Sequence, residues 1–191
     1  MANPTPQRSY RAPCPGCGAP VEFRSAQSTT AVCGYCQSTV VRQGDVLQRI
    51  GKMAELFDDH SLLQLMASGQ IDGQPFTLVG RLQYQYPEGT WTEWNALFND
   101  GSSGSLAEDN GAYVFSRPLA PRADGGVDAP APPVPPAETF TPGTTVRLRG
   151  RAYTVASTTT VSLLSAQGEL PHLPALGQPF AMVELRGQDA D

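Results

Sequence analysis

Two close cysteine pairs constrain this chain more than any other feature: Cys14-Pro-Gly-Cys17 and Cys33-Gly-Tyr-Cys36, with Gly18 to Val32 between them. A tetrahedral zinc ion takes four thiolates at about 2.3 Å. A Cys-x₂-Cys turn can supply two of them, because its backbone amides curl around the first sulfur. Gly16, Gly18 and Gly34 suit the tight positions of such knuckles. The stretch from Val21-Glu-Phe23 to Thr30-Ala-Val32 reads as a hairpin that brings the pairs together. This spacing is a zinc signature. One structural Zn²⁺ on Cys14, Cys17, Cys33 and Cys36 is expected, in a zinc ribbon over residues 13–42. A dithiol redox centre and an iron–sulfur site compete by ligand type. A catalytic zinc needs an open position, and four thiolates leave none.

The four Cys form two pairs with none left over, in a chain without a signal-peptide pattern at its start. That usage favours a metal site in a reducing compartment over disulfides, so a cytoplasmic protein is expected. No apolar run approaches the ~18 residues that cross a bilayer. Twelve of the thirteen basic residues are Arg, which reads as a bacterial coding bias. The formal net charge is −5, but it is split along the chain. Residues 1–52 carry six basic and two acidic side chains, and residues 53–191 carry seven basic and sixteen acidic ones. A zinc held by four thiolates is itself a −2 centre, so the ribbon is only mildly basic. Nucleic-acid modules show a stronger basic footprint.

The order along the chain predicts a mainly β protein. Residues 1–12 have no apolar period and read as a disordered arm. Residues 43–60 read as a helix and connection. Asp45 is its N-cap, Gln48 the capping-box partner, and Val46, Ile50, Met53, Ala54 and Phe57 form one face. Residues 61–118 alternate with period two and read as a first antiparallel β unit. Its strands are Phe76 to Tyr86, Thr90 to Phe98, Ser103 to Ala107 and Ala112 to Ser116, with a hairpin signal at Asn110-Gly111. Residues 119–142 are Pro-rich and read as a spacer. Residues 143–191 read as a second, incomplete β unit whose segment Phe180 to Leu185 forms an exposed edge.

The two β units look like copies. Ile71-Asp-Gly73-Gln-Pro-Phe76-Thr-Leu-Val79 aligns without gaps to Leu148-Arg-Gly150-Arg-Ala-Tyr153-Thr-Val-Ala156. A second echo sets Gly104-Ser-Leu106 beside Gly168-Glu-Leu170. Duplication predicts two small barrels or sandwiches of Src-homology-3 type.

Chemistry outside the Cys pairs is sparse. On a strand, Trp91 and Glu93 face one side, and Trp94 and Phe98 the other. Trp91 is read either as a partly covered core residue or, with Tyr84 and Tyr86, as a partner-binding aromatic patch. His60 and His172 are isolated and read as loop residues, and Asp58-Asp59 as a solvated turn. No catalytic residue set stands out, and one Lys with two His is a thin inventory for acid–base work.

The string CPGCGAPVEFRSAQSTTAVCGYCQSTVVRQGDVLQRIGKMAELFDDHSLLQL, followed by FTLVGRLQYQY, WTEWNALFNDG and NGAYVFSRP, resembles bacterial proteins that carry the domain of unknown function 4178. The resemblance covers residues 13–118 well and the region after the spacer more loosely. It implies a zinc ribbon followed by a β-rich domain, and the four Cys match that ribbon one for one. It implies no established activity and no catalytic residues. The expectation is a non-enzymatic, zinc-stabilised cytoplasmic adaptor that binds other proteins. A nucleic-acid-binding zinc ribbon is the alternative, and a metal- or thiol-dependent enzyme the third.

Overall fold

The computed structural model describes residues 9–54, 56, 61–109, 111–118, 135–148 and 151–187. Residues 1–8 of the expected arm, most of the Pro-rich segment, Phe57, Asp58, Asp59 and His60 lie outside them. The end of that arm is not disordered, because Tyr10–Pro13 pair as a strand with Pro20–Phe23. Among the described residues there is no α-helix; apart from a 3-10 turn at Ala137–Thr139, the regular structure is antiparallel strand. No helix of the structure is long and apolar enough to cross a membrane.

The Cys-containing region is built from β1 (Tyr10–Pro13), β2 (Pro20–Phe23), β3 (Thr30–Val32), β4 (Ser38–Gln43) and β5 (Val46–Lys52). β1 pairs with β2, and β3, β4 and β5 pair in turn. The segment expected to begin a helix at Asp45 is therefore a strand. Gly44 sits at φ 61° and opens a two-residue turn that sets Gln43 opposite Val46. That is hairpin chemistry, with Gly at the first central position. Strand pairing satisfies the backbone groups that a helix would have satisfied internally, and it buries Leu47. Val46 and Ile50, assigned by helical spacing to a buried face, are 66% and 58% exposed.

The remaining strands are β6 (Ser68–Ile71), β7 (Gln74–Tyr86), β8 (Gly89–Phe98), β9 (Ser103–Asp109), β10 (Ala112–Ser116), β11 (Thr145–Leu148), β12 (Arg151–Leu170) and β13 (Pro179–Gly187). By contacts the described chain divides into two compact units. The first holds the Cys region, most of β6 to β10 and residues 163–178; the second holds 86–88, 135–162 and 179–187.

In the first unit the strand order is β10-β9-β8-β7-β12-β3-β4-β5, where β12 contributes its last residues. This row has two ends, β10 and β5, and does not close into the expected barrel. The Cys region is continuous with the β sheet, since Thr30, Ala31 and Val32 pair with Leu170, Glu169 and Gly168. It has a core of its own around Val21, Phe23, Ala31, Val40 and Leu47. Val32 and Met53 pack instead with Ala166 and Leu170. One face of β7 and β8 buries Leu78, Trp94 and Ala96, with Phe76, Leu106 and Phe115 against them.

The second unit contains β11, residues 151–162 of β12, and β13. Residues 135–142, assigned to the spacer, include Phe140, which is buried there. The hairpin of β11 and β12 repeats that of β6 and β7 at a constant offset. Ser68 pairs with Thr77 and Ile71 with Gln74; Thr145 pairs with Thr154 and Leu148 with Arg151. The residues leading in agree as well. Met66 N–H donates to Leu78 O at 2.7 Å, and Gly143 N–H to Val155 O at 2.8 Å. Met66 and Gly143 both have positive φ, and Leu78 and Val155 are both buried. The second echo has no such counterpart: Gly104 lies in β9, two strands after β7, whereas Gly168 lies in β12 itself.

Candidate functional site

The strands carry the four thiols to one point. Cys14 follows β1, Cys33 follows β3, and each is the first residue of a knuckle. Gly18 N–H donates to Cys14 O at 2.8 Å, and Gln37 N–H to Cys33 O at 2.9 Å. Each knuckle is closed from behind: Cys14 N–H donates to Ala19 O and Cys33 N–H to Ser38 O. The residue after the second Cys takes positive φ in both, 76° at Gly18 and 58° at Gln37. A Cβ on Gly16 would meet Ser38 Oγ at 2.5 Å, so that hydroxyl would have to turn from its contact with Cys36 Sγ. Gly34 meets nothing within 4 Å and has ordinary φ, so its place imposes no glycine.

The four Sγ atoms lie within 4.8 Å of one another and could hold a metal ion. Cys14 Sγ is 3.7 Å from Cys36 Sγ, and Cys17 Sγ is 3.8 Å from Cys33 Sγ. A disulfide would bring sulfurs to about 2.05 Å, so these are four free thiols. A tetrahedron with bonds of about 2.3 Å has edges of about 3.8 Å, and both pairs match it. Gly16 N–H points at Cys14 Sγ from 3.3 Å, as an amide supporting a thiolate does. The Ser38 hydroxyl and amide lower the Cys36 thiol to about 6. The Ala19 amide pulls Cys17 down, but Cys36, burial and the other two thiols outweigh it and raise Cys17 to about 12. The geometry and the donor set fit a four-thiolate ion, compatible with a zinc ribbon.

A second polar centre stands behind the knuckles, and sequence reading missed it. Glu169 is 3% exposed and accepts Arg24 N–H at 2.7 Å and Ser25 N–H at 2.6 Å. Its backbone O accepts Asn95 Nδ2–H at 3.0 Å. One carboxylate satisfies two amides of the β2–β3 loop that would otherwise be buried without partners. Nothing local in a lone Glu near the end of a strand announces this role.

The aromatic residues separate as strand parity requires. Trp94 and Phe98 are buried, whereas Trp91 is half-buried on the other face. Tyr84 was expected in an exposed patch but is 4% exposed, its ring 5.2 Å from that of Trp91. Burial, reinforced by the Glu93 charge, holds its phenol well above the usual range. Tyr86 is half-buried.

Tyr84 forms the floor of a cleft of about 330 Å³ in the first unit. Glu93 and Asn95 of β8, Ser103 and Ser105 of β9, and Leu82 of β7 line it, together with Arg117 and His172. Ser105 Oγ–H donates to Glu93 Oε1. Period two carries this signal in the sequence: Glu93 with Asn95, and Ser103 with Ser105, are polar residues spaced for one face of a sheet. His172 could be placed there only by the tertiary structure.

The family described as "Domain of unknown function (DUF4178)" matches residues 64–191. Its match begins just before β6 and runs through both hairpins. No curated protein and no solved structure matches the chain.

Proposed function

The chain belongs to the DUF4178 family, and on that premise we propose that it is a non-enzymatic, zinc-stabilised adaptor of the bacterial cytoplasm that binds other proteins. Zinc is the metal chosen because four thiolates at tetrahedral spacing suit it and leave no position for substrate. Metal analysis of the purified protein should then give one zinc per chain, and a metal-free protein with a folded Cys region would overturn this part.

The observation that carries the adaptor reading is β13. Among the described residues it pairs along one edge alone, with β12, from Tyr153 opposite Gly187 to Ser162 opposite Pro179. Such an edge presents backbone N–H and C=O groups to which an extended segment of a partner adds as a further strand. Phe180, Met182 and Val183 stand half-buried on it and supply side-chain contacts.

Proline tests this directly. Successive N–H groups of a strand point to opposite edges, so of Ala181 and Met182 one donates toward β12 and the other away. Ala181→Pro and Met182→Pro should therefore behave oppositely. One keeps the fold and abolishes capture of the protein partners that the wild type retains. The other disrupts β12–β13 pairing. If the folded variant still captures the same partners, strand addition at β13 is ruled out.

A further inference from the structure

The cleft over Tyr84 carries chemistry that neither the metal centre nor β13 uses. Glu93 is half-buried in it, and among the described residues no cation pairs with its carboxylate. Ser103 Oγ is buried without a hydrogen-bond partner among the described residues. Ser103 lines the cleft, and a buried, unsatisfied hydroxyl calls for a ligand or a water to complete it. Asn95 spends Nδ2 on Glu169 O, which leaves Oδ1 as an acceptor. Leu82, the Tyr84 ring, Pro118 and Pro171 give the cleft its apolar lining.

Arg117 and His172 also line the cleft, but among the described residues neither pairs with Glu93. The Arg117 guanidinium lies over the Phe98 ring at 4.3 Å and donates to Gln74 Oε1 at 2.8 Å. His172 is exposed. What remains is a carboxylate and two neutral acceptors above an aromatic and aliphatic floor. That combination complements a positive head on an apolar stem.

We infer that this cleft receives a basic side chain, arginine or lysine, from an extended segment of a partner protein. The inference rests on the adaptor reading and names what the partner must carry. The stem lies along Leu82, Tyr84 and Pro118, and the head reaches Glu93, Asn95 Oδ1 and Ser103 Oγ. The acidic balance of residues 53–191, sixteen acidic against seven basic, favours the same partner over a nucleic acid.

Calorimetric titration of the intact, metal-loaded chain tests it. The probes are capped Gly/Ser hexapeptides with one central Arg, one central Lys or neither, and free arginine amide. Saturable one-to-one binding is expected for the Arg and Lys peptides, weaker binding for arginine amide, and none for the Gly/Ser peptide. Glu93→Gln keeps the shape and the Ser105 bond, and should weaken binding about tenfold or more. Ser103→Ala should weaken it less and alter no charge. Glu88→Gln, an exposed acid in the β7–β8 turn, should leave it unchanged. The proposal fails if neither basic peptide saturates, if arginine amide binds as tightly as the peptides, or if the Gly/Ser peptide binds equally. It also fails if Glu93→Gln is silent, or if Glu88→Gln weakens binding as much as Glu93→Gln does. Partner capture in the β13 variants reports separately, so the cleft can fail while the adaptor reading stands, and the reverse.

Discussion

Gln37 occupies the place that Gly18 holds in the first knuckle, at φ 58° against 76°. A left-handed conformation costs a non-glycine residue about 1–2 kcal/mol, and glycine's greater unfolded freedom returns about 0.5–1. Gln37→Gly should therefore stabilise the metal-loaded protein by about 0.5–1 kcal/mol, and Gly18→Ala should destabilise it by a similar amount; chemical denaturation reads both. The Cys spacing announced the knuckles, but not that Gln37 would hold the positive-φ place of the second. The two tryptophans separate in the same concrete way. Trp94 is 1% exposed, with Arg81 over its ring at 5.0 Å and its Nε1–H on Glu108 Oε2 at 3.2 Å. Trp94→Ala should cost about 3–5 kcal/mol. Trp91 is half-buried, and Trp91→Ala should cost clearly less. Equal losses would mean that both faces of β8 are core.

At the scale of elements, β5 and the β7–β12 crossing show where local pattern and tertiary context part. Val46, Ile50 and Met53 suit helical spacing, but Gly44 opens a hairpin turn and Val46–Lys52 pairs as a strand. β4 then supplied the backbone partner, which no local pattern displays. The crossing of β7 and β12 depends on two glycines set opposite each other, Gly80 and Gly168. A Cβ on Gly80 would stand 2.0 Å from Glu169 O, and one on Gly168 would stand 2.4 Å from Val79 O. Backbone atoms cannot yield as a flexible side chain does. Gly80→Ala should therefore destabilise the protein by about 3 kcal/mol or more, read as a fall in melting temperature. Gly73, in the β6–β7 turn, has open space around it, so Gly73→Ala meets only the strain of φ 74°.

At the scale of the whole molecule, the Cys region and the first β unit share a sheet through β3 and β12. Glu169 also holds the β2–β3 loop through Arg24 and Ser25. Metal removal should therefore lower more than the stability of residues 13–42. Hydrogen exchange should quicken at Gly168–Leu170 as well as in the knuckles when a chelator strips the metal. Exchange that changes only in the knuckles would show the two to be independent in energy. The sequence by itself determined the cluster of four Cys, the β class, the opposed faces of Trp91 and Trp94, and the likeness of the two repeated hairpins. Each of these rests on spacing or period along a short stretch of chain. Only the tertiary structure decided that β5 is a strand, that the sheet stays open, and that Tyr84 is buried beneath a cleft shared by Glu93 and His172. Those outcomes depend on partners far apart in sequence, Val32 with Gly168 through the backbone and the Asn95 side chain with Glu169 O, and a bond made to a backbone group leaves no mark on the residue that offers it.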